Sequence, residues 1–211
     1  MLKSKKKLSR RDFVKISAFG AGLFTSTLRV KFLSAQTKAP PLRMGGPVFE
    51  KFQDQDGWIK ALKRSGYSAA YCPIKADEKD GVVDAYSDAA KNADIIIAEV
   101  GAWSNPISHD EKTRCEALTK CREQLALADR IGAKCCVNVS GTRGESRSGP
   151  HRDNLTDETF DMIVETTRSI IDAVKPIRTY FTLELMPWSY PDSPDSYVRL
   201  IKAIDRKHFA V

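Results

Sequence analysis

The sequence predicts an α/β fold, a (β/α)8 barrel that is incomplete here, with about five βα units and the start of a sixth strand. From Leu42 onward, strand-like and helix-like segments alternate, which indicates parallel strands joined by right-handed helical crossovers. No glycine-rich phosphate turn follows the first strand, because Met44-Gly45-Gly46-Pro47 lacks the GxGxxG spacing of a dinucleotide-binding sheet. Polar residues also occur near strand ends, as in a barrel whose strands lead into an active-site mouth.

Six strands are predicted from apolar and β-branched runs, and they are Leu42 to Val48, Tyr67 to Pro73, Ile95 to Val100, Lys134 to Ser140, Thr179 to Leu185 and a last one beginning at His208. Side chains alternate along a strand, so Thr182 and Glu184 share one face of the fifth strand, opposite the apolar Phe181, Leu183 and Leu185. In the fourth strand, Asn138 lies on the more polar face with Cys136 and Ser140. We expect both polar faces to line the mouth of the barrel.

The helices between these strands have readable ends. Ser108 and Glu111 predict a capping box for a helix that stops at Gly132. Thr156 is the predicted N-cap of the next helix, and Ser193 that of the last one. The middle helix of these three has one apolar stripe at helical spacing, formed by Phe160, Ile163, Val164, Thr167, Ile170, Ile171 and Val174.

Residues 1–35 are predicted to be a twin-arginine signal peptide, and residues 36–211 the N-terminal part of the barrel domain. Arg10 and Arg11 lie between a basic run and a weakly apolar stretch from Ile16 to Leu28. That stretch is shorter than the ~20 residues that cross a bilayer. We therefore expect export by the twin-arginine machinery to the periplasm or cell envelope, with membrane contact through the signal segment only. The alternative is a basic N-terminal tail.

The signal segment also accounts for the basic charge of the chain. The formal net charge is +7, but residues 1–35 contain nine Lys or Arg and one Asp, a charge of +8, which leaves −1 for the remainder. The remainder therefore has no electrostatic footprint for nucleic acid. The five cysteines lack the spacing of a zinc or CxxC redox motif, and we interpret them as reduced, buried thiols.

The barrel is expected to be truncated. Eight βα units take ~200 residues or more, whereas residues 36–211 end at Phe209-Ala210-Val211, where an apolar strand has just begun. We expect this part to be inactive by itself, since a strand edge left at that point would be unpaired.

Thr182-Leu183-Glu184-Leu185-Met186-Pro187-Trp188 resembles a strand of a known family, the xylose isomerase-like TIM barrels, which include sugar isomerases and sugar phosphate isomerase/epimerase-type proteins. The stretch from Ile97 to Trp103 and the helix entry Pro191-Asp192-Ser193-Pro194 extend the resemblance, which covers about residues 42–211. It implies a divalent-metal site in which Glu184 supplies one carboxylate, while the family's other ligands come from the sixth and later strands. The family's epimerases often have an acidic residue about six positions after this glutamate, where this chain has Tyr190.

The resemblance implies isomerase or epimerase chemistry on a sugar or related polyol. Such a reaction removes a proton beside a carbonyl and stabilises the enediolate that results. Carboxylates that flank the carbon can shuttle the proton, and a divalent ion can stabilise the enediolate. Glu184 is the predicted catalytic residue as well as a metal ligand. Oxygen ligands suit Mg²⁺ or Mn²⁺, whereas a mixed His/carboxylate site also admits Zn²⁺ or Co²⁺.

Four further residues are predicted to bind the substrate. Trp103 and Trp188 follow strand ends, and their flat faces suit the C–H side of a sugar ring. Asn138 suits a sugar hydroxyl, and His151 lies in a long loop of the kind that builds barrel active sites. The face of Glu99 is left open, while His109 is interpreted as a surface residue and His208 as a residue of the stable bottom of the barrel.

Two other functions remain open at this point. One is a non-catalytic sugar-binding protein of the cell envelope, and the other is a metal-dependent hydrolase or lyase on the same barrel. The sequence does not determine the substrate, the metal or the oligomeric state.

Overall fold

The computed structural model describes residues 42–210, so the predicted signal peptide lies outside the described residues. The strands are β1 (Gly45–Gly46), β2 (Ala69–Tyr71), β3 (Ile96–Gly101), β4 (Cys135–Asn138), β5 (Tyr180–Leu183) and β6 (Phe209–Ala210). The helices are α1 (Gln55–Arg64), α2 (Asp80–Asn92), α3 (Glu111–Ile131), α4 (Asp157–Val174) and α5 (Pro194–Ile204). The six predicted strands are thus present; β3 has its predicted length of six residues, shifted by one position, whereas β1, β2, β4 and β5 are shorter than predicted.

The strands form one parallel sheet in chain order, from β1 to β6, and each strand pairs with the next one along the chain. A doubly wound sheet would reverse its strand order at a switch point, whereas a barrel adds each strand beside the last. Within residues 42–210, β1 and β6 each pair on one side only. The structure therefore confirms the barrel path and gives a partial (β/α)8 barrel.

The hydrophobic core lies between the sheet and the helices. Phe181 and Leu183 of β5 are buried on this side, as predicted from their alternation with Thr182 and Glu184. Large side chains from the helices fill the layer, among them Trp58, Leu62, Leu125, Ile163, Ile170, Leu200 and Ile204. The opposite face of the sheet, which is the interior of a barrel, is only partly buried and carries the side chains discussed below.

The prediction of which β4 side chains line the barrel interior is wrong. Cys136 and Asn138 are fully buried on the helix side, whereas Cys135 and Val137 face the barrel interior. The side chains do alternate along the strand. Asn138 is buried on the helix side because hydrogen bonds satisfy its amide, so its polarity does not indicate that it lines the barrel.

The N-cap of helix α3 is Asp110, two residues after the predicted Ser108. The Asp110 carboxylate accepts a hydrogen bond from the Thr113 N–H at 2.7 Å, while the Ser108 hydroxyl oxygen accepts one from the Asp110 N–H at 3.2 Å. A carboxylate is favoured at a helix N-terminus by the helix dipole, which explains why Asp110 takes the N-cap position. Gly132 ends the helix in the left-handed conformation, at φ 78°, as predicted.

The caps of α4 and α5 are as predicted. The Thr156 hydroxyl oxygen accepts a hydrogen bond from the Thr159 N–H at 3.2 Å. Ser193 and Ser196 form a reciprocal capping box at the start of α5.

Removing the α4 cap is expected to destabilise the fold modestly. Thr156→Ala leaves the Thr159 N–H without its side-chain acceptor, and we expect the free energy of unfolding to fall by about 1 kcal/mol. Urea unfolding monitored by circular dichroism measures the change. Thr119→Ala, at an exposed position inside α3, is the matched control and should cause no loss, since alanine has the higher helix propensity.

The described residues contain five free thiols and no membrane span. Cys121 and Cys136 are buried as predicted, but Cys115 is exposed on α3, which corrects the expectation that all five are buried. Burial raises the pKa of the Cys72 thiol to about 11, so this group is a poor nucleophile at neutral pH. Across residues 42–210, every helix is too short or too polar to traverse a bilayer.

Candidate functional site

A cavity of about 600 Å³ lies on the interior face of the sheet, opposite the hydrophobic core. It extends over β3, β4 and β5 and over the segments that follow them. Its polar and aromatic walls are formed by Tyr71, Glu99, Trp103, Cys135, Thr182, Glu184 and Tyr197. Of the predicted site residues, the structure brings Glu184 and Trp103 together here and adds Glu99, whose face the sequence left open.

Glu99 faces the cavity because β3 contains a bulge. Along the pairing with β2, Ala70 is opposite Ile97 but Tyr71 is opposite Glu99, so Ala98 is an extra residue. A bulge of this kind shifts the alternation by one position and turns the following side chains to the other face. Ile97 is therefore buried among the helices, while Glu99 opens into the cavity.

Glu184 stands just beyond the carboxyl end of β5. Its backbone N–H donates to the Asn138 carbonyl at 2.8 Å, which continues the ladder with β4, and its side chain is exposed in the cavity. The Tyr197 hydroxyl of α5 donates to the carbonyl of Leu183, so the residue before Glu184 is tied to a helix. Burial, and secondarily the charge of Glu184, raises the pKa of Tyr197 and keeps this hydroxyl a donor.

The two carboxylates of the cavity interact. The pKa of Glu99 is raised, first because the group is partly buried and then because the negative charge of Glu184 disfavours a second charge nearby. Two carboxylates in one cavity attract cations and hydroxyl donors, which are the partners that relieve this repulsion.

Trp103 forms one wall of the cavity under unusual backbone constraint. Its φ is 40°, in the left-handed region, and its indole lies against the end of β3 at Gly101. A Cβ atom on Gly101 would lie 1.9 Å from the indole Nε1, so this position admits glycine alone without displacing the ring.

The other predicted substrate residues do not line this cavity. Asn138 is fully buried: its Oδ1 accepts from the Ser104 N–H at 2.8 Å, and its Nδ2 donates to the Cys121 sulfur at 3.3 Å. Both ends of the amide are therefore engaged within the protein. The role that the structure gives Asn138 is to hold the segment that carries Trp103.

His151 and Trp188 lie in loops outside the cavity. His151 borders a separate cavity of about 840 Å³ with His109 and Arg143, between the loops after β3 and β4. Its Nδ1 accepts from the Asp153 N–H at 3.3 Å. Trp188, in the loop after β5, contributes its carbonyl oxygen to an Asn154 side chain at 2.9 Å.

Two buried amides that sequence reasoning missed organise the loops above the sheet. Asn105 makes two hydrogen bonds to the backbone of Thr142, its Nδ2 donating at 2.9 Å and its Oδ1 accepting at 3.0 Å. Asn154 accepts from the Arg143 N–H at 2.8 Å and also donates to the Trp188 carbonyl. The loops after β3, β4 and β5 are thereby joined, which holds the rim of the cavity in place. No local pattern marks these asparagines, since their partners are distant in the chain.

The donor set of the cavity fits part of a divalent-metal site. Carboxylate oxygens suit hard divalent cations, and the exposed Glu184 and half-buried Glu99 open into the same space. Between residues 42 and 210, however, no group of three or more His, Cys, Asp or Glu side chains converges on one point. Within the described residues the cavity thus offers two carboxylates, which are fewer groups than a complete divalent-metal site uses.

Comparison with protein families gives one match. A family model described as xylose isomerase-like TIM barrel matches residues 59–211 of this chain. A search of curated proteins gives no match.

Several solved structures share the fold. A xylose isomerase-like TIM barrel protein from Mycobacterium smegmatis, in complex with magnesium, is 17% identical with a TM-score of 0.54, and the match covers 74% of this chain and 56% of that one. D-psicose 3-epimerase from Clostridium cellulolyticum H10, with D-tagatose, is 17% identical with a TM-score of 0.56. The match covers 76% of this chain and 57% of that one. Another D-psicose 3-epimerase structure, in the presence of D-fructose, is 14% identical with a TM-score of 0.60. The match covers 81% of this chain and 62% of that one. At such identities the likeness shows the fold alone, and this chain spans less than two thirds of the length of each.

Proposed function

Because this chain belongs to the xylose isomerase-like TIM barrel family, we propose that it is part of a metal-dependent sugar isomerase or epimerase. The observation that carries the proposal is Glu184, which stands at the carboxyl end of β5 in a cavity shared with Glu99. Catalytic residues of (β/α)8 barrels lie at this end of the strands. The similar structures include epimerases studied with D-tagatose and D-fructose, and we extend that substrate class to this chain.

In this proposal Glu184 has two tasks. Its carboxylate would be one ligand of a divalent cation, and it would also accept the proton that is removed from the carbon beside the substrate carbonyl. When bound, the cation stabilises the negative charge that develops on the substrate oxygens. The Glu184 N–H bond to the Asn138 carbonyl and the Tyr197 bond to the Leu183 carbonyl fix the backbone that carries Glu184 relative to β4 and α5.

We further propose that the whole protein contains additional βα units and is exported. Two facts support the first part: β1 and β6 each pair on one side within residues 42–210, and the similar structures are longer than this chain. Additional strands would supply the other metal ligands, and residues 42–210 alone would be inactive. The paired arginines Arg10 and Arg11 support export by the twin-arginine pathway to the periplasm or cell envelope.

Metal removal tests the proposed activity in the full-length protein. Turnover of a panel of ketoses and aldoses that includes D-fructose and D-tagatose is measured before and after chelation, and after addition of Mg²⁺, Mn²⁺, Zn²⁺ or Co²⁺. We expect chelation to lower turnover by roughly 100-fold or more, with recovery on addition of one of these ions.

Other outcomes identify other functions. Sugar binding that survives chelation, with no turnover anywhere in the panel, would indicate a non-catalytic sugar-binding protein. Cleaved products would indicate a hydrolase or lyase. Isomerisation at an unchanged rate after complete metal removal would contradict the metal-dependent mechanism.

A further inference from the structure

The loops that lead from the helices into β4, β5 and β6 lie side by side at the amino ends of the strands, opposite to the end that carries Glu184. The Tyr180 N–H donates to the Lys134 carbonyl at 3.3 Å, and the Phe181 N–H donates to the His208 carbonyl at 2.8 Å. Backbone hydrogen bonds thus join the three loops into one surface. We call this surface the basal patch, and it consists of residues 132–134, 175–179 and 205–208.

The basal patch is strongly basic. It contains five Lys or Arg and one Asp, which are Lys134, Lys175, Arg178, Arg206, Lys207 and Asp205. Lys134, Lys175 and Lys207 form no ion pair with any other described residue. Residues 36–211 together have a formal charge of −1, so the positive charge is concentrated at this end of the strands and is balanced elsewhere. Helix dipoles favour cations near the C-terminal ends of helices, which accounts for part of this pattern.

The helix dipoles do not account for the apolar residue at the centre of the patch. Ile177 lies between Lys175 and Arg178, and it is 81% exposed. Its loop is held firmly, because the Asp129 carboxylate accepts from the N–H groups of Ile177 and Arg178 at 2.9 and 2.6 Å. The Arg178 guanidinium also donates to the Arg130 carbonyl at 2.7 Å. The isoleucine is therefore presented to solvent from a fixed loop, with cations on both sides.

The chemistry of the patch fits a lipid surface. Peripheral membrane binding combines attraction between basic side chains and anionic headgroups with burial of apolar side chains at the level of the headgroups. Nucleic acid would use the cations but would leave Ile177 exposed. In addition, the chain enters the described part at Leu42, just before β1, which is the same end of the strands. The predicted signal segment is thus covalently attached at the end that carries the basal patch.

We propose that the basal patch docks on the surface of an anionic lipid bilayer. Its lysines and arginines lie against the headgroups, and Ile177 enters the headgroup layer. The cavity that contains Glu184 then faces away from the membrane, because it opens at the opposite end of the strands. The docking adds a second contact to the one that the sequence assigned to the signal segment alone. It is independent of the proposed activity, so either can fail without the other.

Vesicle co-sedimentation of the full-length protein tests the docking. The vesicles contain either phosphatidylcholine alone or equal parts of phosphatidylcholine and phosphatidylglycerol. We expect the parent to bind the anionic vesicles roughly tenfold more tightly or better in about 0.1 M salt, and to lose most of this preference in about 1 M salt. Each lysine near an anionic surface contributes roughly a factor of five. The double variant Lys175→Gln/Lys207→Gln should therefore bind the anionic vesicles roughly 10- to 30-fold more weakly. Ile177→Ser should bind them roughly 3- to 10-fold more weakly.

Lys75→Gln/Lys79→Gln is the matched control, since it removes the same charge from exposed positions in the loop after β2, at the opposite end of the strands. It should bind as the parent does. The N-terminal segment is the same in every variant, so its own affinity for lipid cancels in these ratios. Urea unfolding monitored by circular dichroism should give coincident transitions for all variants, because the substituted side chains are exposed.

Three results would overturn the proposal. The first is equal binding of neutral and anionic vesicles by the parent. The second is an equal loss in the Lys75→Gln/Lys79→Gln control, which would show that net charge and not the basal patch determines binding. The third is tighter binding of a DNA duplex than of the anionic vesicles, with no effect of Ile177→Ser, which would identify the patch as a nucleic-acid surface.

Discussion

Glu184→Gln is expected to abolish most metal binding and turnover in the full-length protein while leaving the fold intact. Glutamine has nearly the same size and keeps one oxygen acceptor, so the packing around the end of β5 is preserved. It lacks the negative charge that makes a carboxylate the stronger ligand for a divalent cation, and it does not act as a base at neutral pH. Since altering groups that merely support a ligand lowers metal affinity 10- to 100-fold, we expect a loss of roughly 100-fold or more for the ligand itself. Turnover should fall by roughly 1000-fold, because the same residue is proposed to move the proton.

Metal content after dialysis and initial rates with saturating metal separate these two effects. Saturating metal should restore occupancy but not the rate if Glu184 also moves the proton. Glu116→Gln serves as the control, because its carboxylate pairs only loosely with Lys112, at 4.0 Å on the surface of α3. Undiminished metal occupancy in Glu184→Gln would refute the proposed ligand role.

Gly101→Ala is expected to displace Trp103 from the wall of the cavity and thereby to weaken sugar binding. The added Cβ would lie 1.9 Å from the indole Nε1 and 2.5 Å from its Cδ1, both far inside van der Waals contact. The backbone on either side of Trp103 is hydrogen-bonded to β4 through Ala102 and Ser104, so the clash is relieved chiefly by rotation of the indole away from Gly101. We expect overpacking to lower the free energy of unfolding by about 1–3 kcal/mol. D-Fructose affinity should fall by roughly tenfold, as for loss of the aromatic wall.

Gly81→Ala in α2 is the matched control for this substitution. No atom lies within 4 Å of a Cβ added at Gly81, so alanine should be neutral there or raise stability by up to about 1 kcal/mol. Urea unfolding gives the stabilities, and near-ultraviolet circular dichroism reports the environment of the indole. Sugar affinity equal to that of the parent, together with an altered indole signal, would show that Trp103 does not form the wall.

Much of the fold could be predicted because the relevant interactions are local. Strand and helix alternation follows from runs of apolar residues, and the caps at Thr156 and Ser193 bond to N–H groups only three residues away. Glu184 could be placed because β5 is a regular strand, in which alternation alone separates it from the buried Leu183. The displacement of the α3 cap from Ser108 to Asp110 shows the limit of such reasoning, since two good capping residues lay within one turn.

The site residues that depend on contacts between strands could not be placed in this way. Regular alternation along β3 would put Glu99 on the same face as the buried Ile97. The bulge that turns Glu99 into the cavity arises only when β3 pairs with β2. Asn138 resembles a substrate ligand in the sequence, yet it bonds to Ser104 and Cys121, which lie 34 and 17 residues away in the chain. His151 borders a different cavity because its loop is tied to the loop after β3 through Asn105.

The sequence by itself determined the βα order, the side of β5 that carries Glu184, and the family resemblance that the family model bears out. These properties depend on side-chain periodicity and on bonds within one turn or one strand, which a single chain segment encodes. The tertiary structure alone decided that Glu99 joins Glu184 and that Asn138 supports Trp103 instead of binding the substrate. Register and buried hydrogen bonds between distant segments are established only when the strands pair and the helices pack against them.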